Sequence, residues 1–272
     1  MLKDQHYLGQ KYNFSGIEHQ YGSNVHLFQN NVTNTLLTKL SQKETIQPLL
    51  NTLVKKLYEE LLNNAINVLF PTKIQNIESR MKSITPMGEF EAEILDENTR
   101  AITVNIARAG TWPSHNCFDG LNYIINPENI RQDHFFMNRR TDEQGQVTGV
   151  DVSGSKIGGD QDKAYVFFPD PMGATGGSLS HAVDHYKSSV EGTAKKYIVL
   201  HLIITPEYIK RMVTDHPDVE IFALRLDRGL SPSNVLSKIP GEDWENEKGL
   251  TDTQYIVPGA GGVGELLNNS PI

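Results

Sequence analysis

The stretch 164–180, AYVFFPDPMGATGGSLS, decides how this chain is read. It begins with an apolar run, Ala164 to Phe168, that stops at Pro169, Asp170 and Pro171. Small residues follow, Gly173, Ala174, Thr175, Gly176, Gly177 and Ser178, and Leu179 to Tyr186 have the character of the first turns of a helix. A strand that ends in a small-residue loop and feeds a helix N-terminus is suited to phosphate. Glycines allow close approach, loop N–H groups turn inward, and the helix dipole favours negative charge. The stretch matches neither the P-loop pattern nor GxGxxG, so neither the NTPase nor the dinucleotide fingerprint applies. An acidic residue at the strand end, Asp170, followed by Thr and Gly-Gly-Ser, points to a phosphate already carrying a sugar. Asp170 would accept from the ribose hydroxyls while the loop holds a monophosphate.

Outward from this stretch, strand and helix patterns alternate. The run 164–168 is followed by a predicted helix over 179–191, strand 197–204 by helix 206–215, and strand 219–226 closes the series. Such alternation implies a parallel sheet with right-handed crossovers and ligands beyond the carboxyl ends of its strands. Upstream, Leu50, Leu53, Val54, Leu57, Leu61, Leu62, Ile66 and Leu69 recur at helical spacing, which predicts a helix over 47–69 packed on a sheet face. A strand is predicted over 101–107, ending at Arg108-Ala109-Gly110. Residues 138–163 are polar and Gly-rich and suit a flexible hairpin or flap, and residues 1–23 read as a polar arm or tail.

The chain has 272 residues, enough for one α/β domain with an extension. Its net charge of −8 and the lack of a Lys/Arg block argue against broad nucleic-acid or membrane-surface binding, so an anion site must be local. A single cysteine, Cys117, excludes an intrachain disulfide and fits a reducing compartment. With no apolar signal-like segment at the start and no run of membrane-spanning length, the expected location is the cytoplasm.

The segment Asp170 to Ser178 resembles the phosphoribosyl diphosphate (PRPP) loop of the type I phosphoribosyltransferases, in its uracil phosphoribosyltransferase form. Other segments follow in that family's order. Thr85-Pro86-Met87-Gly88 resembles its TPxG step, Arg108-Ala109-Gly110 its RAG, and Arg139 the arginine before its flap. His216 to Glu220 resembles its HPDVE segment, and Tyr255-Ile256-Val257-Pro258-Gly259 its base loop. The resemblance covers about residues 24–267. It implies a Rossmann-type core, with a mostly parallel sheet flanked by helices, a flap hairpin and a small hood. It also implies transfer of a 5-phosphoribosyl group from PRPP to uracil, giving UMP and diphosphate in pyrimidine salvage. Mg²⁺ would be held mainly by the diphosphate and water, and the chain would form a homodimer or larger homo-oligomer. By this resemblance Asp170, Arg108 and Arg139 are catalytic. Pro171, Met172, Gly173, Ala174, Thr175, Gly176, Gly177 and Ser178 join them around PRPP. The base is read by Tyr255, Ile256, Val257, Gly259, Ala260, Gly261 and Gly262, largely through backbone groups.

The base loop departs from the family. Where the family reads YIVPGLGDAGDR, residues 255–266 read YIVPGAGGVGEL: Gly262 replaces the first acid, Glu265 is a similar acid at the second, and Leu266 stands for the final Arg. Residues 231–248 look like an insertion, with Trp244 placed to cap the base site or face another subunit. These departures keep two alternatives open: a regulatory protein that binds UMP or PRPP without turnover, and a phosphoribosyltransferase for another base. Two further patterns carry less. His181 and His185 have i, i+4 metal-ligand spacing but no evident third ligand, and His115 with Cys117 lacks an orienting acid. Asp227 and Arg228 read as a structural pair.

Overall fold

The computed structural model describes residues 4–141 and 147–270, without the side chains of 138–141 and 147–152. Chain order runs β1 (Val25–Leu27), α1 (Asn31–Leu40), α2 (Leu49–Leu69), β2 (Thr72–Glu78), β3 (Glu89–Leu95), β4 (Ala101–Ala107), α3 (Thr111–Asn122), β5 (Ile130–Thr141), β6 (Val147–Lys156), β7 (Tyr165–Pro169), β8 (Met172–Gly173), α4 (Gly177–Ser189), β9 (Lys196–Ile204), α5 (Pro206–Asp215), β10 (Glu220–Leu226), α6 (Ser233–Leu236) and α7 (Val263–Leu267).

An eight-stranded sheet has the order β1-β10-β9-β7-β4-β5-β6, with the short β8 also pairing with β9. Every pairing is parallel except β5 with β6, which closes an antiparallel hairpin at one edge. The central strands are mostly apolar because both their faces are covered. Side chains alternate between two cores. Phe167, Ile198, Leu200 and Phe222 join Leu57, Tyr58 and Leu61 of α2 on one face. Val166, Phe168, Val199 and Ile221 join Val183 and Tyr186 of α4 and Tyr208 and Met212 of α5 on the other. The mostly parallel, helix-flanked sheet has the architecture the sequence implies.

Helix boundaries follow local chemistry. At α5 the Thr205 side chain accepts from the Tyr208 N–H and Pro206 occupies the first turn, a good N-terminal pairing. At α4 no side chain caps the N-terminus, and Gly176 precedes it with φ +76. That end is left to other partners.

The flap reading maps onto the β5–β6 hairpin, which begins further upstream, at Ile130; its tip, residues 142–146, lies outside the described residues. Below the hairpin, the buried Asp133 carboxylate accepts from the Tyr186 hydroxyl at 2.6 Å, the Gly158 N–H at 2.8 Å and the Arg131 guanidinium at 3.1 Å. A separate two-stranded hairpin, β2–β3, carries Thr85 to Gly88 in its connection. Ile74, Met81, Ile84 and Met87 are exposed on it.

The 231–248 segment folds back on the N-terminal residues. The Trp244 ring lies 4.9 Å from that of Tyr21, and its indole N–H donates to the Pro206 carbonyl at 3.1 Å. Trp244 therefore does not cap the base loop. Arg228 pins the segment through Glu247 at 2.8 Å and the Lys238 carbonyl at 2.8 Å, while Tyr21 donates to Glu247 from the other side.

Candidate active site

The strand ends of β7 and β9 carry the phosphate-type loop over the N-termini of α4 and α5. Backbone bonds clip it in place: Asp170 N–H to the Leu200 carbonyl at 3.0 Å, Leu202 N–H to Pro171 at 3.1 Å and Thr205 N–H to Gly173 at 3.1 Å. The Thr205 hydroxyl adds a bond to the Ala174 carbonyl at 2.7 Å. Gly173 is pressed so closely on Ile204 and Tyr208 that a Cβ there would lie 2.8 Å from an Ile204 methyl. The first N–H groups of α4 have no carbonyl partner within their helix, and no side chain caps them. Fixed donors and the positive helix end together make this turn a receptor for an anion.

Facing it is the loop that runs into α7. Between them lies a cleft of about 290 Å³. Asp170, Met172 and Ala174 to Leu179 form one wall, Thr253 to Ile256 and Gly261 to Glu265 the other, with Ala109 at the side and His201 and Tyr208 at the floor. Two segments some eighty residues apart in sequence therefore share one cavity.

The candidate residues divide on this geometry. Asp170, Met172, Ala174, Thr175, Gly176, Gly177 and Ser178 line the cleft, as do Tyr255, Ile256, Gly261 and Gly262. Pro171 and Gly173 do not; their carbonyls hold the loop to β9 and Thr205. Nor do Val257, Gly259 and Ala260. Val257 bonds to Gly249 and Gly229, and the Gly259 N–H donates to Asp227 at 2.7 Å, so these residues fasten the base loop to its support. Arg108 is exposed beside the cleft-lining Ala109 and donates to the Ser270 hydroxyl at 2.7 Å. The Arg139 side chain lies outside the described residues.

The Asp227 pairing differs from the sequence reading. Its partner is Arg225, through bonds of 2.7 and 2.9 Å, while Arg228 turns to Glu247. In an extended chain residues i and i+2 share a face and neighbours do not, which accounts for the exchange. Arg225 also donates to the Gly259 carbonyl at 2.9 Å, so the buried ion pair grips both sides of the base loop's turn.

His201 and Tyr208 are functional-site residues the sequence reading missed. Both are 1% exposed. His201 Nδ1 lies 2.6 Å from the Asp170 carbonyl oxygen and Nε2 lies 2.6 Å from the Tyr208 hydroxyl. A carbonyl only accepts, so Nδ1 carries the proton. Burial pulls the imidazole down to about 3, outweighing the Asp170 bond that favours the cation, so the ring is neutral and Nε2 accepts from Tyr208. Burial, and then the charge of Asp170, push the Tyr208 hydroxyl well above its ordinary range. The only sequence signal was a lone histidine in an otherwise apolar strand.

Other patterns resolve as structure. Burial pushes the Cys117 thiol far above its usual range, which leaves it inert as a nucleophile. Among the described residues no group of three or more His, Cys, Asp or Glu is arranged to hold a metal, His181 and His185 included. His216 lies 3.1 Å from the Ser180 hydroxyl, which itself donates to Asp215 at 2.8 Å, so the HPDVE segment latches α4 to the end of α5. Among the described residues no helix is long and apolar enough to cross a membrane.

The family model for uracil phosphoribosyltransferase matches residues 27–242. The uracil phosphoribosyltransferase of Wolinella succinogenes is 29% identical over 80% of this chain and 88% of its own length. That of Mycoplasma capricolum is 33% identical over 62% of this chain and 66% of its own length. A solved protein from Aquifex aeolicus, AQ2163, superposes over 89% of this chain and 97% of its own, with a TM-score of 0.65 and 22% identity. That superposition speaks for the fold.

Proposed function

The chain belongs to the uracil phosphoribosyltransferase family, a family of pentosyltransferases, and we propose that it transfers the 5-phosphoribosyl group of PRPP to uracil in pyrimidine salvage. The observation that carries this reading is the shared cleft: a receptor for a sugar phosphate on one wall and the backbone-rich loop at 253–265 on the other. In the reaction N1 of uracil bonds to C1′ while the bond from C1′ to the diphosphate oxygen breaks. The electron pair leaves with diphosphate and the N1 proton passes to water. The transition state is a cationic ribose with a departing anion, so the protein's task is to place charge and exclude alternatives. Asp170 holds the ribose hydroxyls beside the developing cation, the α4 N-terminus holds the 5′-phosphate, and Arg108 and Arg139 face the diphosphate. Asp170 and Glu265 line the cleft, and carboxylate oxygens are a donor type that suits Mg²⁺ held through water. Bound mostly to the diphosphate, Mg²⁺ would neutralise the leaving charge. The proposed setting is the cytoplasm, and the proposed assembly is a homodimer or larger homo-oligomer. The exposed apolar residues of the β2–β3 hairpin support self-association, which light scattering would measure.

One observation favours a second reading. Gly262 stands at the N-terminus of α7, in the cleft wall, with no side chain to offer base or ribose. This favours a regulatory UMP or PRPP binder, or an enzyme for another base. The test is diphosphate release with PRPP, Mg²⁺ and a panel of bases, alongside melting with UMP or PRPP. Release that depends on uracil is the expected result. Stabilisation by UMP or PRPP with no release for any base would replace the enzyme reading with the regulatory one. Gly262→Asp is expected to raise uracil turnover.

A further inference from the structure

We infer that His201 and Tyr208 are positioning residues that hold Asp170 and the phosphate loop in the shape that receives the ribose phosphate. The inference rests on the PRPP reading of the cleft. Its basis is a continuous chain of contacts from dry interior to ligand wall. His201 projects from β9 and donates to the Asp170 carbonyl at 2.6 Å, fixing the peptide that carries the ribose-facing carboxylate. Tyr208 projects from α5 and donates to the other ring nitrogen at 2.6 Å, which fixes the tautomer and the ring plane. The Asp170 carboxylate, for its part, accepts from the Met172 N–H at 3.0 Å, so the turn is held from both sides. The Tyr208 ring also lies directly under the loop. A Cβ on Gly173 would sit 3.1 Å from it, and one on Gly176 3.4 Å.

Packing alone does not account for this pair. A strand whose other buried positions are apolar would be filled at lower desolvation cost by leucine or phenylalanine. The polar pair adds direction instead: one donor aimed at one carbonyl, with its own orientation set by a second donor. A floor of this kind resembles the outer partners that orient metal ligands and catalytic histidines, where the supporting bond sets geometry rather than doing chemistry.

The two amide side chains separate the roles of the ring nitrogens. Asn places its N–H₂ near the position of Nδ1, whereas Gln places its amide near Nε2. His201→Asn is therefore expected to keep the bond to Asp170, and His201→Gln to lose it. Calorimetric titration with PRPP and with ribose 5-phosphate reads the loop whether or not turnover occurs. We expect His201→Gln to weaken both ligands about tenfold or more, with His201→Asn within about threefold of the wild type. Tyr208→Phe, which removes a single oxygen, is expected to weaken them about threefold. In steady-state assays the same variants would lower kcat/KM for PRPP, while the KM for uracil changes little. A structural role alone would make the losses follow melting temperature, with no split between Asn and Gln and none between PRPP and uracil; that result would overturn the inference. So would His201→Gln and Tyr208→Phe binding PRPP as the wild type does. Failure of the functional reading looks different: wild-type protein that binds PRPP but releases no diphosphate leaves the inference standing and removes the enzyme. Wild-type protein that binds neither ligand overturns both.

Discussion

The two walls of the cleft share main-chain fastening and differ in the side chains that back them. The phosphate wall is fastened by main-chain bonds to β9 and Thr205, from Asp170 through Gly173, with the Thr205 hydroxyl on the Ala174 carbonyl and the His201–Tyr208 pair beneath. The base wall is fastened by main-chain bonds of Val257 to Gly229 and Gly249 and by the isolated bridge between Leu250 and Ile256, and the Arg225–Asp227 pair grips Gly259 from both sides. Tyr255 at its rim is half exposed. Main-chain bonding tolerates substitution nearby, because any residue supplies the same carbonyl and N–H. A loop held by side chains depends on what those side chains are.

Substitutions on the two walls should separate them. Asp170→Asn removes the ribose-facing charge while keeping the side chain's shape. Turnover should fall about 10²-fold with little change in melting temperature, and unchanged turnover would remove Asp170 from the mechanism. On the opposite wall, Asp227→Asn loosens the grip on Gly259. KM for uracil should rise about tenfold while KM for PRPP stays put, a selectivity that steady-state kinetics with each substrate varied would reveal. Equal effects on both substrates would mean that the walls are not independent.

Two glycines with positive φ offer a matched pair. A Cβ at Gly176, φ +76, meets Arg211 and Tyr208, whereas one at Gly261, φ +73, meets nothing within 4 Å. Gly176→Ala should destabilise the protein by ~1–2 kcal/mol in denaturant melts, the loop being unable to relax. Gly261→Ala should cost less, because the base loop can shift. The last effect vanishes at neutral pH. His201 is depressed from 6.5 to about 3 in the fold, so the unfolded chain binds the extra proton between those values. Stability from this residue is complete above about pH 6.5 and declines as pH falls towards 3. Chemical denaturation across that range should show the decline, and His201→Asn should flatten it.

Much of the sheet was legible because its central strands are buried on both faces and read as continuous apolar runs. The predicted 101–107 and 206–215 coincide with β4 and α5. The phosphate wall was legible for a related reason: its shape needs glycine and small residues at fixed places, and those leave a mark in sequence. Harder to see were elements whose partners lie far away along the chain. Strand β1 is three residues long and exists by pairing with β10, nearly two hundred residues later. Trp244 gave no hint that Tyr21 was its neighbour. His201 reads as an exception in a strand until the fold sets the Asp170 carbonyl beside it. The base loop's departures are plain in the sequence, yet Asp227 reads there as the partner of its neighbour Arg228, because the two-residue alternation that gives it Arg225 runs one residue past the end of β10 at Leu226.

We propose that the two walls form one site, with the phosphate on one and the base on the other. UMP carries both groups and so should span the cleft, while PRPP needs the same phosphate wall. Calorimetric titration of UMP at increasing PRPP tests this most directly. The account predicts one UMP site per chain whose apparent Kd rises in proportion to PRPP concentration. A UMP affinity that PRPP leaves unchanged would contradict it.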